Sequence, residues 1–193
     1  ADRVSAPNTS VIIRLKKDSI FHPGLMLRYI VPSKELTLSR SDNITTQGPY
    51  FNSYHNIDMS FEQLVWNMEE PAMKFTAPIG ASIGTANFES ANYFNYDFFL
   101  KMQGIDEVHP LISIRSFAKK SGSEEFLAAD YANYLNKSIT QVRQMLMRIS
   151  VLGFIFYDTN TEIARIKPKL HNYLAASVGK IDFDVIGFPS RTK

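Results

Sequence analysis

In the segment "SITQVRQMLMRIS", residues 138–150, Arg143 and Gln144 are of the types that read base edges in a major groove, arginine on guanine and glutamine on adenine. They can do so only from a helix that turns them to one side, and at helical spacing Thr140, Met147 and Arg148 share that side. Arg165 and Lys167, further along, suit phosphate oxygens. The same surface can instead meet a protein. Met147 is apolar, and the turn "DTNT" at 158–161 carries an acid and no base. The candidate contact surface, for protein or DNA, is therefore Arg143, Gln144, Met147, Arg148, Arg165 and Lys167. DNA binding predicts a continuous positive face over Arg143, Arg148, Arg165 and Lys167. Protein contact predicts an apolar patch around Met147, with carboxylates interrupting the basic face.

Other chemistry finds little to build on. There is no cysteine, which excludes disulfides and thiolate metal sites. The four histidines, His22, His55, His109 and His171, are scattered one per region, and Asp182 with Asp184 reads as a solvated strand face. No G-x-S-x-G elbow or P-loop spacing occurs, "IGASIG" reads as a turn between strands, and Glu69-Glu70 stands beside Pro71 in a turn. The expectation is a chain with no cofactor, no metal and no enzymatic activity. The aromatic segments "GPYFNSYHN" and "ESANYFNYDFF" are read as sealing a junction between two halves of the molecule.

The elements that must position these residues follow from pattern. "SVIIRLKK", "LMLRYIV" and "ELTLSR" read as strands, the last two joined through Pro32-Ser33-Lys34 as a hairpin. "SDNITTQGPYFNSYHN" is turn chemistry, and "NIDMSFEQLVWNM" and "AMKFTAP" add short alternating runs. From Ser90 the period becomes helical, with Phe94, Phe98 and Met102 on one face and Gly104 as the stop. A helix opens at Pro110 and ends at Gly122, "EEF" reads as a short strand, and "LAADYANYLN" as a second helix. Ser138 and Gln141 then form a capping box ahead of the stripe Val142, Met145, Leu146, Ile149 and Leu152, and Gly153 ends that helix. "FIFYDTNTEIARI" folds back as a two-stranded wing. "KIDFDVIGF" alternates Ile181, Phe183 and Val185 as a returning strand.

Charge is uneven along the chain. Residues 1–108 hold 9 Lys/Arg against 12 Asp/Glu, whereas 109–174 hold 9 against 5. An excess of positive charge around the candidate surface permits nucleic acid without requiring it. No window reaches the roughly 18 apolar residues of a membrane span. The start "ADRVSAPNTS" shows no signal peptide and has the polar look of a linker. With the abrupt close "FPSRTK", it reads as the end of a fragment.

"SIFHPGLMLRYI", "GPYFNSYHNIDMSFEQLVWNM", "ANFESANYF" and "LHNYLAASVGKIDFDVIGFPS" together resemble a segment of large multidomain β-rich proteins of Bacteroidetes-type bacteria. The resemblance implies a winged-helix-like domain set in a β-rich region and a place in the cell envelope, and it carries over no catalytic residue. The expected fold class is α+β. It comprises a β-rich unit (1–88), a linking helix (89–106), a winged-helix-like domain, that is a helix-turn-helix with a β-wing (107–175), and a returning strand (176–193). The expected role is a non-catalytic structural or protein-interaction module. DNA binding through the helix 138–152 and the wing 154–167 is the alternative.

Overall fold

The computed structural model describes residues 2–41, 46–77, 85–104 and 107–191, so Asp106 and the "IGASIG" turn lie outside the described residues. The fold is α+β. It divides into two compact units, Ala1–Ala91 with Gly187–Lys193, and Asn92–Ile186.

The first unit is an antiparallel sheet organised by one long strand. β1 (Arg3–Leu15) and β2 (Asp18–Ile30) form a hairpin along their whole length, which occupies one edge of β2. The other edge is shared. β4 (Tyr50–Asn52) pairs with Ile20 and Phe21, while β3 (Glu35–Ser39) pairs from Met26 to Ile30. Between them Pro23 has no N–H to offer, and the Gly24 N–H donates to Nδ1 of His22 at 3.2 Å. The β1–β2 register also shifts here, between Ala6 and Thr9 and between Thr9 and Val11. A bulged strand bends, so two arms leave β2. One runs through β4, β5 (Ile57–Ser60), β8 (Thr85–Ser90) and β12 (Gly187–Arg191). The other runs through β3, β6 (Gln63–Asn67) and β7 (Lys74–Thr76). Both arms contribute to one core, in which Leu25, Leu38, Leu64 and Met59 are buried. A row of rings crosses it, with Phe61 stacked 4.3 Å from both Tyr50 and Phe75, and Phe88 stacked 5.1 Å from Phe188.

The second unit is helical with a small sheet. α1 (Tyr96–Gln103) is capped by the Asn95 side chain, which accepts from the Phe98 N–H at 2.8 Å. α2 (Pro110–Ser121) starts on His109 and ends at Gly122, whose φ of 71° suits a residue without Cβ. β9 (Glu125–Leu127) leads into α3 (Ala128–Leu135), and a turn through Asn136 leads to α4 (Ile139–Val151) with the Ser138/Gln141 capping box. β10 (Ile155–Asp158) and β11 (Ile163–Ile166) form a hairpin, and β9 adds to it in the order β10-β11-β9. α5 (Pro168–Ala176) closes the unit. Leu111, Ile114, Tyr131, Val142, Leu146, Ile149, Phe154 and Leu170 meet in its core. The Tyr131 hydroxyl donates to Ser113 Oγ at 2.8 Å, so this buried phenol is satisfied.

Several expectations from the sequence are corrected by the fold. The boundary falls at Asn92, not near Asp106, and the helix taken as a linker belongs to the helical unit. Phe94 and Met102 are buried in that unit's core, and the Tyr173 hydroxyl donates to the Asn95 carbonyl at 3.0 Å. The polar start is most of β1, and Tyr50–Asn52 makes a strand inside a stretch read as turns. The returning strand is Gly187–Arg191, paired with β8, while Ile181, Phe183 and Val185 are exposed and lie outside any strand. The aromatic segments serve separate cores, Tyr50 in the β unit and Phe94 in the helical unit. No helix among the described residues is long and apolar enough to cross a membrane.

Candidate functional site

α4 is amphipathic because Val142, Leu146 and Ile149 recur at three- and four-residue spacing, and all three are buried. That fixes the opposite side, where the structure brings together Arg143, Gln144, Met147 and Arg148. Gln144 and Arg148 are exposed. Met147 is half-buried and packs on the unit's core, so it forms a partly covered apolar shoulder rather than a free tip.

Arg143 does not face solvent alone. Its guanidinium pairs with the Glu162 carboxylate, which the β10–β11 turn presents with Glu162 at a φ of 58°. A glutamate in the left-handed region is uncommon and costs backbone energy. The same pair is felt at Tyr157 beneath it: burial pushes that phenol up, Glu162 pushes it further, and Arg143 opposes. Arg143 Nε is buried and meets no hydrogen-bond acceptor among the described residues.

Arg165 is likewise answered. It lies opposite Glu125 in the β9–β11 ladder, and its Nε–H donates to Glu125 Oε2 at 2.8 Å. Lys167 stands at the start of α5, its backbone N–H donating to the Phe154 carbonyl at 3.0 Å. The six residues therefore fall into two groups, four on α4 and two on β11 and its exit. Arg143 and Arg165 each carry a carboxylate partner from the chain itself.

A groove beside α4 was not legible in the sequence. It holds about 270 Å³ and is lined by Met102 of α1, Pro110 of α2, Lys137 before α4, and Gln141, Gln144, Met145 and Arg148 of α4. These residues are up to 46 positions apart, so only the packing of three helices assembles them. The available signal was Met145, counted with the apolar stripe but half-exposed at the groove.

The titratable groups elsewhere act as braces. His109 Nδ1 accepts the Leu111 N–H at 3.2 Å, its Nε2–H donates to the Phe99 carbonyl at 3.0 Å, and its ring stacks 3.9 Å from Phe99. Burial lowers its pKa, against that backbone bond. In the β unit His22 Nε2–H and Arg40 both donate to the Gly48 carbonyl at 2.9 Å, holding the chain that leads into β4. Burial lowers the Arg40 pKa and raises that of Tyr50 beside it. Among the described residues no three metal-ligating side chains converge.

Comparison with protein-family models, curated proteins and solved structures finds no match to this chain.

Proposed function

We propose that Asn92–Ile186 is a winged-helix-like module used as a non-catalytic protein-contact surface within a larger multidomain protein of the cell envelope. The order helix, strand, two helices and hairpin, with β9 added to the hairpin, supports the winged-helix-like reading. The resemblance of the quoted segments supports the setting. The observation that carries the protein-contact reading is the pairing of Arg143 with Glu162 and of Arg165 with Glu125. Arg143 and Arg165, two cations that would approach phosphates, are neutralised in place, and each carboxylate would itself repel a DNA backbone. Met147 and Met145 add adaptable apolar surface of the kind that suits protein partners.

DNA binding stays as the second reading, on the observation that Gln144 and Arg148 are exposed on the helix that would enter a groove. Anisotropy of a labelled mixed-sequence duplex across a salt series separates the two. The expected result is no binding tighter than about 100 μM near 0.15 M salt, the weak end of nonspecific affinity. Glu125→Gln/Glu162→Gln should gain affinity and a steeper salt slope, because it uncovers two arginines. Micromolar or tighter binding by the unaltered chain, lost in Arg143→Ala/Arg148→Ala, overturns the protein-contact reading.

A further inference from the structure

The groove beside α4 has a lining that selects one partner chemistry. Among the described residues it presents two cations, Lys137 and Arg148, and no carboxylate. Gln141 and Gln144 add amide donors and acceptors, and Met102, Met145 and Pro110 supply apolar wall. Arg148 differs from Arg143 and Arg165 in meeting no carboxylate of the described chain within ion-pair distance. Its volume of about 270 Å³ falls below the roughly 300–1,000 Å³ of small-molecule sites, which fits one or two side chains rather than a cofactor.

We propose that this groove docks an acidic segment of a partner protein. A glutamate or aspartate of the segment pairs with the Arg148 guanidinium, whose planar fork suits a carboxylate. An adjacent apolar side chain seats against Met102, Pro110 and Met145. This deepens, and rests on, the reading of the helical unit as a protein-contact module. Charge complementarity carries the choice of occupant: an apolar segment would leave Arg148 unanswered, and a basic one would be repelled.

The probes are acetyl-Leu-Glu-Glu-Leu-amide and its counterpart acetyl-Leu-Gln-Gln-Leu-amide, titrated into the full ¹⁵N-labelled chain and followed by backbone and arginine Nε shifts. The acidic peptide should move the resonances of Gln144, Met145 and Arg148 with millimolar affinity. The amide peptide, and the acidic peptide on Arg148→Gln, should each bind roughly three- to tenfold more weakly. Arg148→Lys should keep part of the affinity, which shows that the charge matters and that the helix survives substitution. Equal binding of the two peptides, or no shift from either at about 10 mM, overturns the proposal. Adding the same duplex, unlabelled, to the ¹⁵N-labelled chain then tells the two failures apart. If DNA also leaves α4 unmoved, the protein-contact reading stands without an acidic partner. If DNA moves those resonances instead, both fall.

Discussion

The two units are nearly equal in length and unequal in core. Among the described residues the helical unit gathers 22 buried apolar side chains in one cluster and the β unit nine. The β unit leans instead on its ladders, above all the 13-residue β1–β2 pairing, and on the His22 and Arg40 bonds to Gly48. Those supports are unequal in kind. A fully buried large side chain contributes about 1.5–3 kcal/mol, whereas a hydrogen bond that replaces one to water nets about 1 kcal/mol. Two cores that share no residue, one much richer, predict two unfolding transitions, with the β unit first.

The largest effect that can break this comparison is a cavity in either core. Leu38 of β3 and Leu146 of α4 are both fully buried. Leu146→Ala should cost about 2–5 kcal/mol and lower only the later transition. Leu38→Ala should cost a similar amount and, in the leaner unit, abolish the earlier transition while circular dichroism of the helices persists. A single transition that shifts equally for both variants would show that the units unfold as one.

A smaller effect sharpens the same contrast. Ser138 accepts the Gln141 N–H at 3.3 Å and Gln141 returns to the Ser138 N–H at 3.2 Å, so the cap serves only α4. Ser138→Ala should cost about 1 kcal/mol, confined to the later transition. A shift of the earlier one would count against two independent units.

The difference in core also explains what could be read in advance. The helical unit announces itself locally: the stripe of α4, its capping box, Pro110 at a first turn, and Gly104 and Gly122 at ends are all short-range signals. The first part of β1, ahead of the run "SVIIRL" that reads as a strand, has no such signature because most of its side chains are exposed and its partner is backbone. The residues that make it resemble a linker are those an outer strand needs. Pro7 and the irregular register blunt its free edge, and Pro189 does the same for β12 at the sheet's other end. At the candidate site the face of α4 was legible for the same short-range reason. The pairings that change its meaning were not. Glu162 reaches Arg143 from the next hairpin, and Glu125 reaches Arg165 from 40 residues away, so both depend on topology. Composition showed the charges, but only the fold showed which were cancelled.

The smallest expected effect concerns pH. His109 is neutral in the folded state with its proton on Nε2, because Nδ1 must accept the Leu111 N–H. Burial lowers its pKa there, so below the unfolded value near about 6.5 the unfolded chain takes up the proton first. Its contribution is therefore complete above that pH, falls as pH descends through it, and levels off below the folded pKa. His109→Asn keeps a side-chain oxygen for the Leu111 N–H and loses the Phe99 stack, so the later transition should start lower at pH 7.5. It should also fall less than the parent's between pH 7.5 and 5.5, while the earlier transition keeps the parent's pH dependence. An unchanged slope in the later transition would show that the N-terminus of α2 tolerates the imidazolium. A changed slope in the earlier one would tie this helix cap to the β unit.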